Sequence, residues 1–291
     1  MKKAINLYKP VGITPLEAIN RFREINKNYS GKKMSYAGRL DPMAEGVLLV
    51  LLDKETKKIG EYLGFDKEYR AEILIGISSD SNDVLGIAEI DKVAKTNKKE
   101  LTGNKINKEF NQLSWNKQIT EDNKNNRLLD INNEDKEELI KKLKKKIKSL
   151  KGIYDQKIPD YSSYKIKGKP MFYYARKGEL VNEVKNKVYI KGIKINYVYR
   201  INSRKLLKYI LNKINKVTGD FRQEIIKDKW KELLEKSDEK FLVVDVTISC
   251  SSGTYIRAIA DDIGKEFGGG LLLSLKRTRV GKFDVTKSLR I

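Results

Sequence analysis

The chain has 291 residues, with 61 lysines and arginines against 39 acidic side chains, a formal net charge of +22. It has no histidine and one cysteine, which excludes His-based acid–base catalysis, Ser-His-Asp triads, intramolecular disulfides and Cys/His metal sites. Any chemistry falls to carboxylates, tyrosines, lysines, arginines or one thiol, and the charge favours a polyanionic partner, nucleic acid before membrane.

A 40% hydrophobic content supports a real core. "MKKAINLYKP" has no sustained apolar stretch and no transmembrane run follows, so a soluble, cytoplasmic protein is expected. "AINLYKPVGI" predicts a short strand entering a Lys9-Pro10-Val11-Gly12 turn. A helix should follow, with Thr14 at the N-cap, Pro15 at the first position and Glu17 closing a capping box. Leu16, Ile19, Phe22 and Ile25 recur along it at helical spacing. In "AGRLDPMAEGVLLV", residues 37–50, Asp41 precedes Pro42 at the mouth of an apolar run. Read alone, that pattern favours a cap or turn carboxylate.

"GVLLVLLD" reads as a buried strand and "ETKKIGEYLG" as a short helix. "YRAEILIGI" alternates, placing Tyr69, Ala71, Ile73, Ile75 and Ile77 on one strand face. Asp80 and Asp83 read as an Asx-type turn ending at Gly86. Residues 92–132 are Lys/Asn-rich and weakly periodic, an apparent insertion. "NEDKEELIKKLKKKIKSLKG" restores a helix with Leu139, Leu143, Ile147 and Leu150 on one face and a stop at Gly152. Strands are expected at about 187–199, then a second Lys-rich insertion at 200–240, helical in pattern. "FLVVDVTISCS" predicts a strand with Cys250 as a small buried residue. "TYIRAIADDIGKEFGGG" predicts a helix with Ile256, Ile259, Ile263 and Phe267 inward. Strands and helices without regular βαβ alternation indicate an α+β fold with a mixed, largely antiparallel central sheet flanked by helices.

Five blocks, read in order, resemble the TruB family of tRNA pseudouridine-55 synthases. They are Lys9-Pro10-Val11-Gly12; Gly38-Arg39-Leu40-Asp41-Pro42; Tyr69-Arg70 with "SSDSNDVLG"; "IPDYSSYKIKGKPMFYYARKGELV"; and "CSSGTYIRAIADDIG" with "LKRTRVGKF" behind it. "GRLD" before Glu-Gly-Val-Leu-Leu is also similar to RluA-type synthases, but the blocks at 158–181 and 250–283 favour TruB. The resemblance implies a pseudouridine synthase fold over a single domain, residues 1–291. No separate C-terminal PUA-type domain is expected after Phe283, and the two insertions are expected to supply RNA grip instead.

The implied reaction breaks a uridine's N-glycosidic bond, turns the base and rejoins it through C5, with no cofactor and no metal. Asp41 takes the place of the family's catalytic aspartate, and Arg257 that of the arginine beside it, where it keeps the carboxylate charged and oriented. Tyr69 takes the place of the tyrosine that stacks on the extruded uracil near C5; the plain alternatives are a core aromatic for Tyr69 and a surface arginine for Arg257. Lys9, Tyr36, Arg39, Asp83, Tyr161, Lys165, Tyr255, Lys276 and Arg277 fall in blocks assigned to substrate binding. Lys9 either holds the Asp-bearing loop, meets a phosphate or is a solvated lysine, and Tyr36 stands where bacterial members carry histidine. The implied partner is the tRNA T-arm, bound by a monomer. Rival readings are a ribosomal or guide-directed uridine, and a non-catalytic RNA-binding protein or tRNA-folding chaperone.

Overall fold

The computed structural model describes residues 4–90, 133–179 and 181–291, so the first Lys-rich stretch, 92–132, lies outside the described residues. Its aliphatic runs form strands β1 (Ala4–Lys9), β2 (Met34–Ala37), β3 (Ala44–Leu52) and β4 (Lys67–Ile75), then the short pair β5 (Ser78–Ser79) and β6 (Ala88–Glu89). Next come β7 (Gly152–Lys157), a small hairpin of β8 (Lys165–Ile166) and β9 (Lys169–Pro170), and the long β10 (Lys185–Asn202). The last are β11 (Lys240–Cys250), β12 (Gly270–Val280) and β13 (Phe283–Asp284). One nine-stranded sheet runs β1-β3-β12-β4-β11-β10-β7, with β2 on β3 and β13 on β12.

The sheet is mixed and largely antiparallel, as the sequence pattern implies. Its parallel pair, β12 with β3, sets Arg277 opposite Gly46. Gly46 has φ +109, and a Cβ there would lie 2.2 Å from the Arg277 carbonyl oxygen. Only glycine lets the two strands close at that point.

Helices cover both faces: α1 (Pro15–Ile25), α2 (Ile59–Leu63), α3 (Asn133–Ser149), α4 (Met171–Arg176), α5 (Ser203–Ile214), α6 (Gln223–Leu234) and α7 (Ile256–Gly264). Strand alternation sends Tyr69, Ala71, Ile73 and Ile75 of β4 into one core with α3 and α7, where Leu143, Ile147, Ile256, Ile259 and Ile263 join them. The other face buries Leu74 and Val243 against α5 and α6, through Leu206, Ile210, Ile214, Ile226, Trp230 and Leu234. Smaller cores lie under α1 and α2. Among the described residues no helix is long and apolar enough to cross a membrane.

Two expectations change. Thr14 caps α1 by accepting from the Glu17 amide at 3.2 Å, as its pattern predicts. The buried face, however, is Pro15, Ala18, Ile19 and Phe22, while Leu16 and Ile25 are 59% and 65% exposed. The helical period is right and Ile19 and Phe22 are inward as expected, but the buried stripe takes in Pro15 and Ala18 rather than Leu16 and Ile25. Residues 200–240 are helical, but they are no detachable appendage, because α5 and α6 build the second core. Their lysines mask an apolar residue at every third or fourth position.

Candidate active site

The Asp41 carboxylate does not cap a helix. Pro42 and Met43 lead straight into β3, and the Asp41 carbonyl accepts from the Ala44 amide at 3.0 Å. Its side chain, about a third exposed, instead meets Arg257, whose Nε lies 2.8 Å from Asp41 Oδ2. Arg257 is in the first turn of α7 and only 5% exposed. Its Nη1 donates to the Ser81 carbonyl at 2.8 Å and its Nη2 to the Tyr161 carbonyl at 3.1 Å. One rigid guanidinium fork therefore gathers the Asp41 loop, the 79–83 turn and the 158–162 segment. Burial opposes the charge on Arg257, but Asp41 and Asp83 outweigh it and raise its affinity for the proton.

Asp83 forms the expected Asx turn, accepting from Ser81 Oγ at 2.8 Å and the Leu85 amide at 2.9 Å. It is buried, and burial lifts its carboxyl above the usual range while the Arg257 charge pulls it down. Its contacts are internal, so it supports Arg257 and the turn from behind.

Tyr69 lies on β4 opposite Arg277 of β12, buried in the α3/α7 core. It meets the core reading while still facing the charges of Asp41 and Arg277. Burial pushes its phenol up and Arg277 pulls it down, leaving a raised value. At neutral pH it is an uncharged hydroxyl.

Lys9 is not solvated. It is fully buried, and its Nζ donates to the Pro10 and Ile13 carbonyls at 2.9 and 2.8 Å. Burial drives its pKa down to about 7, with Asp41 acting in the opposite sense. The Gly12 amide of this loop donates to the Pro42 carbonyl at 2.8 Å. Lys9 thus braces the loop that backs Asp41, and its own contacts leave no ammonium turned to solvent.

Arg277 is likewise internal, 1% exposed. Its Nε donates to the Val47 carbonyl at 2.8 Å, Nη1 to the Arg39 carbonyl at 3.3 Å and Nη2 to the Gly38 carbonyl at 3.1 Å. Expected in substrate binding, it instead grips the backbone ahead of Asp41. Gly38, at φ +88, would bring a Cβ to 3.4 Å from its Nη1.

The remaining expected residues divide. Tyr255 begins α7 with its backbone held both ways by the buried Gln156, at 2.9 and 2.8 Å. Tyr161 contributes its carbonyl to Arg257, and its ring lies under Arg222, 4.5 Å from centroid to guanidinium carbon. Tyr36 and the exposed Arg39 form the outer rim, 3.5 Å apart. Lys165 stands exposed on β8, with no contact to the Asp41–Arg257 centre. Lys276 points to the sheet face opposite its neighbour Arg277, with Nζ 5.8 Å from the Tyr8 ring. It is not gathered into the centre either. Gln156 and Arg222 were not anticipated. A polar side chain at a buried position of "GIYDQK" marks the first, but Arg222 has no local signal within a Lys-rich stretch.

A carboxylate held by a buried guanidinium, beside neutral phenols and without a histidine, is equipped to attack or stabilise a sugar carbon. Comparison with known proteins identifies the family. The family model for the TruB family pseudouridylate synthase N-terminal domain matches residues 26–120 and 107–208. A tRNA pseudouridine synthase B of Mycobacterium sp. (strain KMS) is 28% identical over 281 residues, covering 96% of this chain and 67% of that protein. The Clostridium tetani protein of the same name is 29% identical, covering 100% and 72%, and that of Endomicrobium trichonymphae is 28% identical, covering 98% and 87%. A solved Cbf5–Nop10–Gar1 complex shares the fold at TM-score 0.51 and 18% identity, with 99% of this chain matching 52% of that one. With the family model spanning more than half of the residues, the chain belongs to the TruB family of pseudouridylate synthases.

Proposed function

We propose that the protein converts a tRNA uridine, the T-loop uridine of position 55, to pseudouridine, with Asp41 as the catalytic carboxylate. The single observation that carries this is the 2.8 Å pair between Asp41 and the buried Arg257, in a chain of this family. The relatives' names supply the tRNA substrate. The uridine must leave its stack before C1′ and C5 can be reached. Asp41 attacks C1′ or assists departure of uracil to a glycal; the C1′–N1 bond breaks, the base turns, C1′ bonds to C5, and the C5 proton is lost while N1 gains one. No atom is added or removed overall.

Arg257 orients the Asp41 carboxylate and balances its charge through a direct ion pair. Tyr69 offers a flat ring for the uracil and a neutral hydroxyl near C5, while Tyr36 and Arg39 meet the RNA from the rim. T-arm recognition by shape and phosphate contact suits the basic surface.

The test is tritium release from tRNA transcript labelled with [5-³H]uridine, wild type beside Asp41→Asn. Release by wild type and background release by the variant, with tRNA still bound, is the expected result. Release that persists in the variant removes Asp41 from the chemistry. Binding without release by wild type would favour the non-catalytic chaperone reading.

A further inference from the structure

A second guanidinium reaches the walls of this site from outside. Arg222, in the connection between α5 and α6, takes a left-handed backbone at φ 62. Its Nη1 lies 2.9 Å from Asp80 Oδ2, and its guanidinium carbon 4.5 Å above the Tyr161 ring. Arg257 holds the same two segments from inside, through the Ser81 and Tyr161 carbonyls. The other Asp80 oxygen accepts from the Ile87 amide at 2.9 Å, so the carboxylate that Arg222 pairs with is fixed to its turn.

The same connection touches two more edges of the site. Thr218 donates its amide to the Gly12 carbonyl at 2.9 Å and its hydroxyl to Glu17 at 2.6 Å. The Asp220 carbonyl accepts from Arg176 of α4 at 2.9 Å, and the Phe221 ring lies 5.9 Å from that guanidinium. Residues 218–222 thus meet the loop behind Asp41, helix α4, the Asp80 turn and Tyr161. Solvated lysine-rich hairpins do not need such contacts; a wall does.

We propose that the α5–α6 connection forms the outer support of the Asp41–Arg257 site, with Arg222 as a positioning residue for Tyr161 and the Asp80 turn. The kinetic part rests on the pseudouridine synthase reading above. The Arg222 side chain is about a quarter exposed, so its removal opens no core cavity, and a misplaced wall acts on the rate of the bound complex.

The variants are Arg222→Ala, Arg222→Lys, Asp80→Asn and the Arg222→Ala/Asp80→Asn double. Arg222→Ala should slow single-turnover tritium release at saturating enzyme about tenfold, leave tRNA affinity within about twofold and leave the thermal midpoint unchanged. Arg222→Lys, which keeps the charge but loses the flat face over Tyr161, should fall between. The double variant should be no slower than Arg222→Ala, because both remove one contact. Backbone hydrogen exchange should rise in 79–86 and 159–163 of Arg222→Ala, and this readout needs no substrate. Wild-type single-turnover rates, unaltered exchange, or a rate loss matched by unfolding would each overturn the proposal. Silence of the wild type in the tritium assay would instead defeat the functional reading, while hydrogen exchange still judges the clamp.

Discussion

Two buried arginines, Arg257 and Arg277, make the instructive comparison. Each is almost fully enclosed and each donates in three directions. Arg277 spends all three on carbonyls of one neighbourhood, Val47, Arg39 and Gly38, and braces the chain ahead of Asp41. Arg257 spends one on the Asp41 carboxylate and joins three separate segments. The same side chain is a strut in one place and an electrostatic partner in the other, and the difference lies in whether a carboxylate is among its acceptors.

Breaking that difference gives the largest effect. Arg257→Met should cost about 3–5 kcal/mol of stability by stranding the carboxylates it neutralises, and abolish tritium release even in the folded fraction; urea unfolding and the labelled-tRNA assay read the two losses. Arg277→Met leaves the carbonyl of the buried Val47 short of a donor, at about 1–3 kcal/mol, while those of Gly38 and the exposed Arg39 belong to residues nearer water. Its tRNA affinity, measured by filter binding on folded protein, should stay within about twofold of wild type, whereas a direct substrate contact would show a marked loss.

Lys9 sharpens the contrast through pH. Its folded pKa, about 7, lies below the ordinary value of 10.5, so between those limits the unfolded chain holds the extra proton. Its burial penalty therefore shrinks as pH rises from about 7 to 10 and is fully present below about 7. Wild type minus Lys9→Met, compared by urea unfolding at several pH values, should gain at most about 1.4 kcal/mol per pH unit over that window. A flat difference would place the ammonium in water. The smallest effects belong to the outward residues of α1: Leu16→Ser and Ile25→Ser should each move stability by less than about 0.5 kcal/mol, whereas the inward Ile19→Ala costs about 2–5 kcal/mol by thermal or urea unfolding.

That last contrast marks how far local pattern reaches. Thr14, the α3 stripe of Leu143 and Ile147, and the α7 stripe of Ile256, Ile259 and Ile263 were legible because their partners lie within a few residues or on one helix face. The blocks of family resemblance brought Asp41, Tyr69 and Arg257 together on paper, and the fold places Asp41 against Arg257. The contacts of Arg277 are not legible locally, because its acceptor Val47 is 230 residues away, which no periodicity reveals. Lys276 shared its block, but adjacent strand residues face opposite sides of a sheet. Arg222 and the buried face of α5 and α6 were hidden by charge, since their lysines occupy the solvent side of helices whose other side is core.

The parallel seam at Gly46 and Arg277 also governs when the site comes into being. It unites a strand ending at residue 52 with one beginning at residue 270. A nascent chain halted before residue 270 has its Asp41 loop but neither Arg277 beneath it nor the β12 rail beside it. Such long-range closure is entropically costly and slow compared with local helix formation. The brace behind Asp41 therefore waits for the strand that carries Arg277, so a chain made only as far as β11 lacks the contact that holds its own aspartate loop.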